Sequence, residues 1–268
     1  MILVNLGCGR TYHRDWINLD FEPATPEVRR CDVTGRLPFA DESVDVVYHS
    51  HLLEHLAPAE VTRFLAECRR ILRRQGIMRV AVPDLEGIAR AYLREVEAVR
   101  AGGDAALYEW TRLELFDQSA RAAAGGVMLP FLRSLDPDQL AAVRTRAGHE
   151  IDNVLAATEP GRRRGALTPT KLVRRSRRVM AEWLVLVVGG GRLQASFREG
   201  VFRGGGEVHR VMYDQISLSR LLVENGFGAP RKCTAFESEI PNYPEYELDA
   251  VANIVRKPDS LFLEAIRR

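Results

Sequence analysis

Apolar positions in the first ninety residues come in short runs separated by polar, glycine-rich breaks. Five runs read as strands: Ile2–Leu6, Trp16–Leu19, Arg30–Val33, Val44–His49 and Met78–Val82. Between the last two, Val61, Phe64, Leu65, Cys68, Ile71 and Leu72 recur at helical spacing and predict a helix from Pro58 to Gln75. Pro58 suits the first helical position and Glu60 the first turn, while Arg73 and Arg74 complement the negative end and Gly76 supplies a stop. Strand, helix, strand is a βαβ unit, expected to be right-handed.

The earlier connections are too short for that architecture. Only seven residues separate Gly9 from Ile17, and parallel crossovers normally need a dozen or more, usually with a helix. One face of a parallel sheet is therefore predicted to lack its helices. Residues 85–206 are the candidate cover, over the bare face or as a lid on the pocket. Asp84 can cap a helix carrying Ile88, Tyr92, Val96 and Val99, and a second pattern runs from Ala105 towards Ala124. A third follows Asp136-Pro137, and a fourth runs from Thr168-Pro169 to Gly189-Gly190-Gly191. A helix from Ser217 to Asn225 and strands at Arg231–Ala235 and Leu261–Ile266 close the chain. The expected organisation is an α/β domain from residues 1–84 and 207–268 with a helical insertion, 85–206.

The chemistry begins where the first strand ends, at Gly7-Cys8-Gly9. Two glycines let a ligand approach bare backbone, and Asp20, at the tip of the next strand, suits the paired hydroxyls of a ribose. A nucleoside-type cofactor across the carboxyl ends of the sheet is the expectation. Tyr12 stands where the third glycine of a dinucleotide fingerprint would fall, which argues against nicotinamide. The net charge of +2 gives no argument for a nucleic-acid partner, and the longest apolar run, Trp183–Val188, is too short to span a bilayer. Four scattered cysteines without a CxxC pair read as reduced thiols, and with a strand at residue 2 in place of a signal peptide the chain is expected to be cytoplasmic.

At LVNLGCG, WINLD, CDVTGRLPFADESVDVVYHSHLLEHL and MRVAVPD the chain resembles the class I S-adenosylmethionine-dependent methyltransferases, over roughly residues 2–90. The resemblance implies a Rossmann-like seven-stranded, mostly parallel sheet with an antiparallel last strand. It implies S-adenosyl-L-methionine as cofactor, with S-adenosyl-L-homocysteine as product. By the same resemblance the glycine turn, Asn5 to Gly9 with Cys8 inside it, runs beneath the methionine part. Asp20 takes the ribose hydroxyls, Asp32 with Val33 holds the adenine edge, and Ser50 and His51 line the methyl-bearing sulfur. The helix usual after the glycine turn is missing here, so backbone N–H groups of the short arch would have to serve in its place.

HSHLLEH also resembles a displaced zinc signature, in which His49, His51 and His55 with Glu54 would converge on an ion. The methyltransferase reading uses the same letters with no metal and makes His55 structural. His51, near the expected methyl group, and His209, in HRVMYD, are the candidate general bases; a cap at the start of the late helix is the plainer role for His209. Tyr213, Asp214 and Asp84 are weaker candidates. The basic stretch Arg162, Arg163, Arg164, Lys171, Arg174, Arg175, Arg177 and Arg178 reads as a solvated helix face. The function expected is O-methylation of a small-molecule acceptor of biosynthetic type, with a homodimer as the expected assembly. The alternatives are a non-catalytic scaffold that keeps the cofactor fold and a metal-dependent hydrolase.

Overall fold

The computed structural model describes residues 1–148, 150–157 and 169–268. Its strands are β1 (Leu3–Leu6), β2 (Ile17–Asp20), β3 (Val28–Arg30), β4 (Val44–Ser50), β5 (Leu72–Pro83), β6 (Phe227–Cys233), the short pair β7 (Ala250–Val251) and β8 (Ile254–Val255), and β9 (Ser260–Arg267). Its helices are α1 (Pro58–Ile71), α2 (Leu85–Arg100), α3 (Ala106–Ala120), α4 (Met128–Ser134), α5 (Pro137–Ala147), α6 (Glu150–Ala157), α7 (Pro169–Arg203) and α8 (Gln215–Glu224). Seven strands form one sheet in the order β3-β2-β1-β4-β5-β9-β6, parallel except for β9, which runs against both neighbours. This is the Rossmann-like sheet with an antiparallel last strand that the resemblance implies.

Several boundaries differ from expectation for local reasons. The α1 helix stops at Ile71, because Leu72 turns extended and pairs with Val44 as the start of β5. Arg73, Arg74 and Gly76 therefore lie in an irregular stretch of strand and do not cap the helix. A Cβ on Gly76 would fall 2.9 Å from the Arg73 carbonyl oxygen, so this tight bend needs glycine. The third strand lies earlier than read, leaving Val33 as a buried loop residue. Gly148, with φ of 74°, splits the third insertion helix into α5 and α6. The triple glycine does end a helix, as read: at Gly190, with φ of 72°, α7 breaks into two helices, and the second, running to Arg203, folds back so that Arg198 Nε meets Glu182 Oε2 at 2.9 Å. Val179, Met180, Trp183, Leu184 and Val187 on α7 are exposed. Arg177 and Arg178 are exposed too; Arg162, Arg163 and Arg164 lie outside the described residues. Among the described residues no helix is long and apolar enough to cross a membrane.

One sheet face is covered by α1 and α8, where Leu6, Val47, Met78 and Leu263 meet Phe64, Leu65 and Leu222 in the main core. The connections from β1 to β2 and from β2 to β3 carry no helix, as their lengths predict. The face they leave bare is not covered by the insertion. It is covered by the chain between β6 and β9, where Ile240, Tyr243 and Leu248 pack on Leu3, Trp16, Val46 and Tyr48. The insertion builds a core of its own from Trp110, Leu113, Met128, Leu132, Val143 and Ile151.

A polar row crosses that second face in register. Asn18, Asn5, Tyr48, Arg79, Glu264 and Arg231 are successive partners on β2, β1, β4, β5, β9 and β6. Arg79, fully buried, bonds Asp249 at 2.8 Å and Glu264 at 2.7 Å, and donates to the carbonyls of Thr234 and Glu237. Tyr48 and Tyr243 both donate to Asp249 at 2.6 Å. A buried charge is tolerable only when paired and hydrogen-bonded, so this cluster fixes where the covering segment lies.

Candidate active site

At the carboxyl end of the sheet, the tip of β1 folds into a tight arch over β2. Gly7 and Gly9 have φ of 64° and 55°, in the left-handed region that glycine enters without strain. At Gly7 space is also short, since a Cβ would sit 3.0 Å from Leu52 Cδ1. The arch donors are already used. Gly7 N and Cys8 N donate to the Leu19 carbonyl at 2.8 and 3.2 Å, and Gly9 N donates to Asp20 Oδ2 at 2.8 Å. These N–H groups therefore fasten the arch to β2 and are not left for a ligand, contrary to the expectation from the missing helix. Asp20 also accepts from Glu22 N at 2.8 Å, and a carboxylate with about four lone-pair sites keeps capacity for two hydroxyls.

A cavity of about 460 Å³ opens against this arch. It brings together Asn5, Gly7, Cys8, Gly9, Ser50 and His51 with Asp249, Lys257 and Ser260 from the covering segment and β9. Among the described residues Asn5 Oδ1 is buried without a partner, an acceptor left over at the cavity floor. Burial pushes the Cys8 thiol up to about 12, so it is an inert wall group. Asp20, Asp32 and Val33 are not in this wall. Asp32 is exposed and accepts from Thr34 Oγ1 at 2.7 Å and Thr34 N at 3.0 Å, bonds that hold its carboxyl below its ordinary value.

A second cavity, of about 630 Å³, lies beside the first. The insertion lines much of it through Trp110, Glu114, Gln118, Arg121 and Ile151, and His55 and His209 face it from the domain side. Glu114 accepts from Trp110 Nε1 at 2.6 Å and from Arg146 at 3.0 Å, and burial pushes its carboxyl up to about 7. His51, Val154 and Lys257 belong to both walls, so the cavities meet there.

His51 follows the last residue of β4 with φ of 51°, a conformation costing a non-glycine residue about 1–3 kcal/mol. Its Nε2 lies 2.8 Å from Ser260 Oγ and its Nδ1 3.3 Å from Glu54 Oε1. Burial first, then Lys257 and the other two histidines, hold the His51 ring well below its ordinary value. Burial likewise depresses His55 to about 4 and His209 to about 3. None of these rings keeps the near-neutral pKa expected of a general base; all are neutral imidazoles.

The zinc set read from HSHLLEH does not assemble. His49 points the other way, edge-on to Phe64 with ring centroids 5.2 Å apart, and both its nitrogens are unpartnered. Asp214, not His209, caps α8 by accepting from Ser217 N at 2.7 Å, while Asp84 caps α2 as read from the sequence, by accepting from Gly87 N at 3.1 Å. Tyr213 is buried in the main core. Lys257, Ser260 and Glu114 were not legible as site residues, because they reach the cavities only through long-range packing. Arg79 did leave a signal: a lone charge inside MRVAVP demands buried carboxylates.

Residues 6–80, which contain the arch, β2 to β4, all of α1 and most of β5, match the family model "Methyltransferase domain". That segment is similar to the methyltransferase-domain family. Over 99 residues the chain is 34% identical to a probable S-adenosylmethionine-dependent methyltransferase of Mycolicibacterium smegmatis, covering 31% of this chain and 38% of the relative. A probable S-adenosylmethionine-dependent methyltransferase of Mycobacterium tuberculosis matches at 34% identity, covering 31% of this chain and 35% of its own length. The chain thus aligns with little more than a third of these curated relatives. A solved SAM-dependent methyltransferase from Archaeoglobus fulgidus superposes at 12% identity and a TM-score of 0.40, over 99% of this chain and 85% of its own. The matched segment contributes the glycine arch and His51 to the first cavity, and the second cavity is enclosed mainly by residues outside the matched segment.

Proposed function

We propose that this chain transfers a methyl group from S-adenosyl-L-methionine to an oxygen of a small polar acceptor. The observation that carries the reading is the junction of the two cavities at His51, one built on the glycine arch and the other by the insertion. Residues 85–206 would then form the acceptor side of the enzyme. The first cavity fits the cofactor: its volume is that of a small-molecule site, and its floor carries the orphaned Asn5 Oδ1. Asn5, Gly7, Cys8, Gly9, Ser50 and His51 would hold the methionine part, Asp20 the ribose, and Asp32 with Val33 the adenine edge. When bound, the cofactor supplies an activated methyl carbon on a sulfonium.

The chain's own task is to align the acceptor, exclude water and take up a proton. His51 is the base in this reading. Its neutral ring lies on the shared wall, and Ser260 Oγ, 2.8 Å from Nε2, can both donate and accept. A hydroxyl proton therefore reaches Nε2 directly or across Ser260. His209, in the wall of the second cavity, contacts the acceptor. The test is incubation with methyl-labelled cofactor and a panel of hydroxylated acceptors, read by mass spectrometry. A one-methyl gain that disappears in His51→Ala supports the reading, and transfer to nitrogen or carbon only would overturn the oxygen assignment.

A further inference from the structure

Behind the second cavity, three side chains with unsatisfied buried atoms face one another. Glu54 is fully buried, and apart from the 3.3 Å approach of His51 Nδ1 to its Oε1 neither carboxylate oxygen has a hydrogen-bond partner among the described residues. His209 is 7% exposed with Nδ1 unpartnered, and His55 Nδ1 is unpartnered too. One ligand atom from each of Glu54, His55 and His209 lies within 4.8 Å of the others, and the two rings meet edge to face at 4.7 Å. Leaving one buried polar group unsatisfied costs about 1–3 kcal/mol, so three at one point call for a shared partner.

The backbone holds the three in place. Glu54 and His55 sit on the short 3-10 turn after β4, Leu53–His55. The segment carrying His209 is pinned to the same turn, because Arg210 N donates to the Glu54 carbonyl at 2.7 Å. The backbone of Val208 and Gly206 also meets the His55 ring as a hydrogen-bond acceptor. Such an outer contact on one ring nitrogen orients the other towards a metal.

We propose that Glu54, His55 and His209 bind a divalent first-row transition cation such as Zn²⁺ or Mn²⁺. Two imidazoles and one carboxylate are a known donor set for such ions, and three protein ligands leave coordination positions open. His55 and His209 also line the second cavity, so an open position there can take an acceptor oxygen. The charges then balance: a dication with one carboxylate leaves one positive charge, which matches one deprotonated hydroxyl. That last role rests on the methyltransferase reading; the cation site itself does not.

The experiment is metal analysis of the full chain after EDTA dialysis, followed by calorimetric titration with Zn²⁺ and, separately, Mn²⁺. S-Adenosyl-L-homocysteine binding is measured on the same samples without either metal. The expected result is one equivalent of at least one ion per chain, weakened at least tenfold in Glu54→Gln and in His209→Ala, with His49→Phe unchanged. Circular dichroism in EDTA confirms that each variant is folded, and His55→Ala replaces any that is not. Wild-type chain that takes up neither ion stoichiometrically, or folded variants that bind as wild type does, would overturn the site. Loss of homocysteine-adduct binding with metal uptake intact would instead count against the cofactor reading alone.

Discussion

Replacing Arg79 by methionine keeps the bulk of the side chain and removes the cation on which the second sheet face is organised. In the native chain the guanidinium bonds Asp249 through Nε at 2.9 Å and through Nη2 at 2.8 Å, Glu264 at 2.7 Å, and two backbone carbonyls. Asp249 and Glu264 are 4% and 3% exposed, so the variant leaves Asp249 without a counter-charge and Glu264 with only the half-exposed Arg231, 3.5 Å away. Both retain some hydrogen bonds, from Tyr48 and Tyr243 to Asp249 and from Glu239 N to Glu264. Breaking a buried ion pair from one side costs about 3–5 kcal/mol. For a chain of 268 residues that corresponds to a fall in unfolding temperature of about 7 °C. Adding Glu264→Gln to the variant restores about 1–2 kcal/mol, because one of the two weakly compensated buried charges is gone. Thermal and urea unfolding measure these differences. A loss below about 1 kcal/mol that Glu264→Gln does not change would refute the assignment of the cluster as the clasp of the covering segment.

Other substitutions report on the arch, the core histidine and the base. Gly7→Ala forces an alanine to φ of 64° and against Leu52, and is expected to cost about 1–3 kcal/mol; Gly9→Ala, with open space at its Cβ, costs less by the same unfolding assay. Asp20→Ala frees the Gly9 and Glu22 N–H groups and weakens S-adenosyl-L-homocysteine binding at least tenfold by calorimetry. His49, fully buried and depressed to about 3, stays neutral in the folded chain while the unfolded chain binds a proton below about 6.5. It therefore subtracts stability as the pH falls from about 6.5 towards 3, and His49→Leu should regain about 2 kcal/mol at pH 5 relative to pH 7.5. His51→Ala should lower kcat by about 10²–10⁴-fold. Because His51 is depressed, the acid limb of kcat/KM in the wild-type enzyme should fall well below the ordinary histidine range; a limb near 6.5 would point to another base.

The parts of the fold that could be read from the sequence are those with a period. The β4–α1–β5 unit follows from the helical stripe Val61 to Ile71 between two apolar runs, and the bare sheet face follows from counting residues between Gly9 and Ile17. What covers that face was not legible, since Ile240, Tyr243 and Leu248 lie in irregular chain without periodicity and find their partners some two hundred residues away in sequence. Helix ends were misplaced where tertiary pairing overrode local signals, as at Leu72, whose strand bond to Val44 outweighs the arginines and glycine that follow. In the site, Gly7, Gly9 and His51 could be found because turn chemistry and the family pattern fall on adjacent residues. His55 and His209 were visible one at a time; their meeting with Glu54 depends on the Arg210–Glu54 backbone bond, which no spacing announces.

The central claim is that the glycine arch and the cavity above it hold S-adenosyl-L-methionine or its demethylated product. Calorimetric titration of the full chain with S-adenosyl-L-homocysteine tests this without knowledge of the acceptor. The expected result is one binding site per chain, a matching rise in unfolding temperature, and loss of both in Asp20→Ala. A folded chain that shows neither heat nor thermal shift at millimolar S-adenosyl-L-homocysteine would contradict it.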